Sequence, residues 1–270
     1  MEGTSSTIVA GWSMAALLFG LALHAAVGGG VRRGANLMMA GMMVAGAVTL
    51  YSHDVMAMPQ ICAALITGGA VGLLLGRGVP RSALPALLTG LVGQAGLAAV
   101  FIGLAAWRNP HVFGVLDDVT DRPLVGAMVA IGATVTFGAM ACAGAATTLR
   151  RGGRQRKRKG RFAAAMLLAT GGTLGAFVAN PATGLLLACV GIALLAGRGL
   201  AQRALDYGMG PAVALIGGLA GWAIAGTAFL MGNMAMAVAG GFAGSAGSMF
   251  AIRLCGGAGR KGLADVERRP

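Results

Sequence analysis

The stretch LPALLTGLVGQAGLAAVFIGLAAW at 84–107 carries no charged side chain and is long enough to cross a lipid bilayer. Pro85 falls in the first turn of the predicted helix, where its missing N–H is tolerated, and Trp107 closes the far end at interfacial depth. Small residues recur along the stretch at helical spacing: Ala86, Gly90, Gly93 and Gly96. The stretch therefore predicts a membrane-spanning helix that packs closely against another helix.

The composition of the whole chain agrees with an integral membrane protein. Hydrophobic residues make up 57% of the 270 residues and charged residues only 11%, with a mean hydropathy of +0.78. Such values exclude an ordinary soluble domain, and no run of alternating apolar and polar residues suggests a membrane β-barrel. The 48 glycines are typical of membrane helices whose backbones approach closely.

Nine apolar runs are long enough to span a bilayer. They cover 8–30, 35–51, 56–76, 83–107, 124–149, 162–179, 182–200, 209–231 and 233–255. Of the 21 Lys and Arg, 19 lie in the odd-numbered loops and the C-terminal segment, counting Arg198 and Arg253 near the ends of the seventh and ninth runs. The positive-inside rule therefore predicts an external N-terminus and a cytoplasmic C-terminus. The sequence thus predicts an all-α, polytopic membrane helix bundle at 1–256, with a short basic cytoplasmic tail at 257–270.

The first residues, MEGTSST, contain no Lys or Arg, whereas a cleaved signal peptide opens with a basic region. We therefore expect the first apolar run to remain in the protein as a membrane span.

The segment RRGGRQRKRKGR at 150–161 holds the densest positive charge of the chain. It lies between two predicted spans and lacks the interleaved aromatic residues that favour nucleic-acid binding. We therefore expect a topology anchor that contacts anionic lipid, with no nucleic-acid partner. Docking of an acidic protein partner remains the alternative.

Sequence motifs for chemistry are absent. The cysteines are scattered one per apolar run without a CxxC pair, which indicates packing thiols rather than a zinc site: Cys62, Cys142, Cys189 and Cys255. No P-loop and no GxGxxG after a strand is present, so no nucleotide cofactor is expected on this chain. No carboxylate pair, nucleophile–base pair or metal-ligand cluster can be assembled, so we predict no catalytic or metal-binding residues.

Ionisable side chains, the usual mark of a transport or proton path, are nearly absent from the predicted spans. The candidates for a proton path or a polar lining are therefore mostly neutral: Thr89, Gln94, His24, Ser245 and Ser248. Gln94 is expected to point into the bundle interior, because an amide in hydrocarbon needs a partner or a water. Further hydroxyls, including those of Thr134 and Thr136, are expected to bond to their own helix or to a neighbour.

Several patterns, in order and at similar spacing, resemble the membrane domain of the beta subunit of proton-translocating NAD(P) transhydrogenase. They are RRGANLMMAGM at 32–42, GGAVGLLLGRGV at 68–79, LPALLTGLVGQAGLAAVFIGL at 84–104 and GWAIAGTAFLMGNMAMAVAGGFAGSAG at 221–247. The resemblance implies nine membrane helices in a bacterial inner membrane. These helices join alpha-type membrane helices and conduct protons while soluble domains pass hydride between NAD(H) and NADP(H).

The chain departs from the resembled family at its functional positions. The family's His or Asn on the helix after the proline aligns with Val92, its Asn on the penultimate helix aligns with Gly217, and its loop acid has at best a displaced counterpart in Asp206. Because the family's NADP-binding domain follows the last helix, we expect it here on a separate polypeptide. NAD and NADP would then bind to partner chains, in a homo- or hetero-oligomer.

The sequence leaves two main hypotheses open. The first is a proton-channel-like membrane component of a transhydrogenase. The second is a diverged, non-conducting paralogue that serves as a structural or scaffold subunit of a membrane complex. A small-solute transporter ranks last, because no paired Gly/Pro-interrupted spans occur in matching halves.

Overall fold

A computed structural model of the protein describes residues 2–27, 83–117, 120–150 and 160–267, together with seven isolated helical positions between 33 and 70. Within these ranges every regular element is a helix, and the remaining pairing is an isolated antiparallel bridge between Leu116 and Pro123. The chain divides into two compact units, Met1–Leu84 and Pro85–Pro270. The all-helical class is confirmed for the described residues.

The first unit contributes α1, which covers Glu2–Val27. Six helices follow: α2 (Leu84–Arg108), α3 (Val125–Arg150), α4 (Gly160–Ala179), α5 (Thr183–Leu205), α6 (Met209–Leu230) and α7 (Met234–Glu267). The predicted spans at 35–51 and 56–76 and most of the basic segment at 150–161 lie outside the described residues.

Five of these helices contain stretches long and apolar enough to cross a membrane: Leu84–Arg108, Val125–Arg150, Thr183–Leu205, Met209–Leu230 and Met236–Gly256. Shorter apolar stretches occur in α1 and α4, at Val9–Ala22 and Ala164–Ala179. The count of nine spans and the orientation of the termini stay predictions.

Two helices continue past the ends expected from their apolar runs. Helix α5 reaches Leu205 rather than 200, and α7 remains helical to Glu267 rather than ending near Cys255. Neither extension contains a proline, and long cationic side chains can extend from a helix end towards water, so polarity alone does not stop the helix.

Helix α3 lies at the centre of the second unit, and α2, α4, α5 and α6 pack against it. Glycines at these contacts allow the backbones of the two helices to approach closely. A Cβ added to Gly96 of α2 would lie 2.7 Å from the carbonyl oxygen of Gly138 on α3. On the opposite flank, a Cβ at Gly197 of α5 would overlap the backbone of Met140. The predicted small-residue face of α2 thus contacts α3 through Gly93 and Gly96.

Helices α6 and α7 form a second glycine contact. A Cβ on Gly221 would overlap the backbone of Gly244, and one on Gly247 would lie 2.5 Å from the backbone nitrogen of Gly218. Gly217, in contrast, has open space beside it, with nothing within 4 Å of an added Cβ. The α6 contact therefore uses Gly218 and Gly221 rather than Gly217, because a shift of one residue turns a helix position by about 100°.

Helices that follow one another along the chain run in opposite directions, so their connecting loops lie at two ends of the second unit. Near Gly144 of α3 lie Ala201 of α5 and Ile216 of α6. Leu254 of α7 lies 3.8 Å from a Cβ added to Gly210 at the start of α6, so the C-terminal parts of α3, α5 and α7 lie at the same end. We call this end the arginine end; its charged residues with described side chains are Arg150, Arg198, Arg203, Asp206 and Arg253. The opposite end, which carries the loop 109–124, is the hairpin end.

The loop 109–124 folds back onto the bundle at the hairpin end. The N–H of Val115 donates to the carbonyl of Pro110, and the N–H of Leu124 donates to the carbonyl of Val115, both at 2.9 Å. The Val115 side chain is buried in an apolar cluster with Met128 and Leu230. An apolar side chain thus covers the interior of the bundle at this end.

Candidate functional site: hydroxyl groups inside an apolar bundle

The predicted polar residues of α2 face different directions. Thr89 is buried, and its hydroxyl donates to the carbonyl oxygen of Pro85 at 2.6 Å. Gln94 is exposed on the side of α2 that faces away from α3, because Gly93 and Gly96 make the contact with α3. This placement differs from the interior position expected for Gln94. In a membrane both the interior and the lipid face of a helix are apolar, so the sequence pattern does not separate them.

Val92 holds the position that aligns with the resembled family's proton-path histidine. It is half-buried and packs against an apolar cluster that includes Val100, Met140 and Leu219. A valine neither binds nor donates a proton, and its described neighbours in this cluster are apolar.

The predicted residues of α6 and α7 have local partners or open space. Ser245 is exposed and donates to the carbonyl of Phe242 at 3.1 Å, while half-buried Ser248 donates to Gly244 at 2.8 Å. Gly217 is half-buried beside open space. These positions do not converge on one polar site.

His24 and Asp206 are exposed residues on different elements. His24 is exposed on α1, in the first unit, and Asp206 is exposed in the turn between α5 and α6. The predicted site residues are therefore spread over α1, α2, the α5–α6 turn, α6 and α7.

Two hydroxyls of α3 stand out from the other threonines. Thr134 is 0% and Thr136 2% exposed, and neither hydroxyl has a hydrogen-bond partner among the described residues. The threonines whose hydroxyls donate to a carbonyl one turn earlier are Thr89, Thr147, Thr148, Thr170, Thr173 and Thr227. A buried hydroxyl without a partner is destabilising by about 1–3 kcal/mol, which distinguishes Thr134 and Thr136 from the other threonines.

The two hydroxyls lie on different sides of α3. Thr134 faces α6, where a Cβ added to Gly226 would lie 2.5 Å from its Oγ1. Thr136 lies one turn after Gly132, which contacts α4, and one turn before Met140, which contacts α5. The pair therefore places polar groups towards two helix interfaces of the central helix.

Sequence reasoning did not separate these two hydroxyls from the others. Whether a threonine bonds back to its helix depends on its χ1 rotamer, which its packing neighbours decide. A second missed residue is Gln202, a buried amide that lies beyond the expected end of its span at 200. The run of small residues Ala193, Ala196, Gly197, Ala201 and Ala204 indicates the longer helix.

The chemistry available to this arrangement is limited to hydroxyl hydrogen bonding. A threonine hydroxyl donates one hydrogen bond and accepts two, but it does not titrate at physiological pH. Within the described ranges no group of three His, Cys, Asp or Glu is placed to hold a metal ion. Cys142, Cys189 and Cys255 are free thiols.

The apolar helices, the backbone-close glycine contacts and the few buried hydroxyls define an integral membrane protein of the helix-bundle class. The chain belongs to the NAD(P) transhydrogenase beta subunit family, whose profile matches residues 5–266.

Two curated relatives support the assignment. Both are named NAD(P) transhydrogenase subunit beta and come from Rhodospirillum rubrum. Each is 28% identical to this chain over 270 residues, which cover 95% of this chain and 57% of the relative. The chain thus spans little more than half the length of these relatives.

The described residues do not fit a dinucleotide cofactor. Dinucleotide-binding folds hold the pyrophosphate where a strand meets a glycine-rich turn and a helix. The described part of the second unit contains helices, short loops and one isolated bridge, and its buried polar side chains are threonines and Gln202. No step of hydride transfer can be assigned to these residues.

Proposed function

We propose that this chain is the membrane, proton-channel-like component of a proton-translocating NAD(P) transhydrogenase. The observation that carries the proposal is the family match over residues 5–266. Partner chains would supply alpha-type membrane helices and the domains that bind NAD(H) and NADP(H). Proton occupancy in the membrane would then alter nucleotide binding by conformational coupling.

The same proposal includes the topology predicted from charge. It consists of nine spans at 1–256 in a bacterial inner membrane, an external N-terminus and a basic cytoplasmic tail at 257–270. The segment at 150–161 would contact anionic lipid. We further propose that the chain works in a homo- or hetero-oligomer.

The hydroxyls of Thr134 and Thr136 are the best-supported proton-path residues of the described bundle. They are buried, lack described partners and lie on two sides of the central helix. Hydroxyls can pass a proton to a neighbouring water only where they are not held by a carbonyl, and those of Thr89, Ser245 and Ser248 are held. Gln94 and His24 are exposed, so they would belong to a proton path only where a partner chain covers them.

Reconstitution tests this function. The chain is co-reconstituted in vesicles with an alpha subunit and an NADP-binding domain, and NADPH-driven reduction of an NAD analogue is followed together with a pH-sensitive dye. We expect reduction coupled to proton movement. Thr134→Ala and Thr136→Val should each lower coupled proton movement at least tenfold, whereas Thr148→Val should not. Absence of any reaction would contradict the proposal.

The second candidate is a non-conducting structural subunit, and the surroundings of Val92 favour it. The position that aligns with the family's histidine is filled by a valine within an apolar cluster. The matching Asn position is Gly217, which offers no donor. Such a bundle would hold partner chains without moving protons.

Restoring the family residues separates the two candidates. Gly217 has open space for a side chain, so Gly217→Asn should be tolerated. If the wild-type complex already moves protons, the chain is the proton-conducting component, and proton movement does not require the double variant Val92→His with Gly217→Asn. If the wild-type complex assembles without proton movement and the double variant restores it, the chain is the structural subunit.

A further inference from the structure

Two exposed arginines near the arginine end lie inside the candidate spans of their helices. Arg198 lies inside the candidate span Thr183–Leu205, and Arg253 lies inside the candidate span Met236–Gly256. Each arginine thus attaches to its helix before the apolar stretch ends. A charged head at this depth reaches the headgroup layer by extending its long stem along the helix.

Exposed apolar side chains precede each arginine by four and three positions. On α5 these are Leu194 and Leu195, and on α7 they are Met249 and Phe250, each between 39% and 54% exposed. Positions three and four apart on a helix lie on the same face. Each arginine therefore follows, on the same helix face, a pair of apolar side chains that face outward.

The two arginines also lie at the same end of the unit. Helices α5 and α7 run in the same direction, since Ala201 lies near Gly144 of α3 and Leu254 lies 3.8 Å from a Cβ added to Gly210. The charged residues of this end whose side chains are described are four arginines and one aspartate: Arg150, Arg198, Arg203, Arg253 and Asp206. An anionic ligand is favoured there by the excess of positive charge.

We propose that Arg198 and Arg253 each bind the phosphate of an anionic phospholipid, whose acyl chains lie along the preceding apolar pair. A guanidinium binds phosphate through two parallel hydrogen bonds. Along each helix face the apolar pair comes first and the arginine follows towards the helix end. A phospholipid matches this order, because its acyl chains lie deeper in the membrane than its phosphate. An acidic protein segment would have to enter the apolar layer to cover the leucines of α5 or Met249 and Phe250, where its backbone polar groups need partners. The lipid contact does not depend on transhydrogenase activity.

Arg108 provides a matched control at the hairpin end. It is exposed on an apolar helix, as are the two proposed ligands, and it is the last residue of α2. The residues four and three positions before it, Leu104 and Ala105, are only half-exposed. Its charge is the same, but the outward apolar pair is missing.

Native mass spectrometry of the purified full-length chain tests the proposal, with phosphatidylglycerol as the probe and phosphatidylcholine as the neutral comparison. Arg198→Gln and Arg253→Gln should each weaken phosphatidylglycerol binding about fivefold, which corresponds to about 1 kcal/mol per cation. Arg108→Gln should leave it unchanged. Arg198→Lys, which keeps the charge, should retain more lipid than Arg198→Gln.

Three results would overturn the inference. The first is unchanged phosphatidylglycerol binding by the Arg198→Gln, Arg253→Gln double variant. The second is an equal loss in Arg108→Gln, which would indicate a general effect of net charge. The third is retained lipid with loss of a co-purifying acidic protein. Circular dichroism of each variant confirms that the helices remain folded, so that a loss of binding reports on the contact.

Discussion

Gly197 of α5 rests directly on the backbone of Met140 of α3, with no side chain between the two helices. A Cβ at position 197 would overlap the Met140 carbonyl, which belongs to the rigid backbone of the central helix. Any side chain at this position would therefore push α5 away from α3. Close approach of this kind replaces hydrophobic drive inside a membrane, where lipid is as apolar as the protein.

Gly197→Ala should destabilise the bundle by about 2 kcal/mol, because the added methyl group overpacks the contact between α3 and α5. Gly191→Ala is the control on the same helix, since Gly191 is exposed with nothing within 4 Å of an added Cβ. The control should be neutral or slightly stabilising, because alanine favours a helix over glycine. Unfolding by SDS titration from mild micelles measures both. Equal stability of the two variants would contradict the packing assignment.

Thr136→Val should leave stability unchanged or raise it by up to about 1 kcal/mol, because the side chain keeps its shape and loses a hydroxyl without a described partner. Thr148→Val should instead lower stability by about 1 kcal/mol, since it removes the 2.9 Å hydrogen bond to the carbonyl of Gly144. The same SDS titration compares the two. A loss in Thr136→Val as large as that in Thr148→Val would show that Thr136 has a partner after all.

Helices were easier to predict from this sequence than the directions of their side chains. The uncharged stretch at 84–107 corresponds to α2, which covers Leu84–Arg108. Gln94 is exposed among the described helices, and the interior position expected for it stays a prediction. In a span both faces are apolar, so periodicity carries little information about which face is buried.

The same limit explains the glycine contacts and the hydroxyls. Gly218, rather than its neighbour Gly217, packs on α7, and only the register between two helices decides which of two adjacent glycines makes contact. The difference between Thr136 and Thr148 lies in a rotamer, which the sequence does not encode locally.

A side-chain contact at the hairpin end gives a third prediction. The Nε1–H of Trp107 donates to the hydroxyl of Thr183 at 3.1 Å, while its ring packs edge to face on Phe177 with centroids 5.5 Å apart. Trp107→Phe should keep the ring contact and lose the hydrogen bond. A double-mutant cycle with Thr183→Val should therefore give a coupling energy of about 0.5–1.5 kcal/mol. Coupling near zero would show that the hydrogen bond does not stabilise the turn between α4 and α5.

The proposed alternation of loops across the membrane gives the last prediction. Val112 and Tyr207 are exposed, at the hairpin end and the arginine end respectively. In a cysteine-free background, Val112→Cys should react with an impermeant maleimide in intact cells, because the loop 109–124 is proposed to be external. Tyr207→Cys should react only after permeabilisation.

Leu168→Cys extends the labelling test to α4, whose apolar stretch Ala164–Ala179 is shorter than those of the five candidate spans. Leu168 is exposed near the middle of this helix. If α4 crosses the membrane, the exposed thiol faces lipid, where the reactive thiolate is disfavoured, and labelling fails from both sides. Labelling at a rate near that of Val112→Cys would remove α4 from the spans. Such a result would contradict the described packing. Without a crossing by α4, the C-terminal ends of α3 and α5 would lie on opposite sides of the membrane, whereas the two helices run in the same direction.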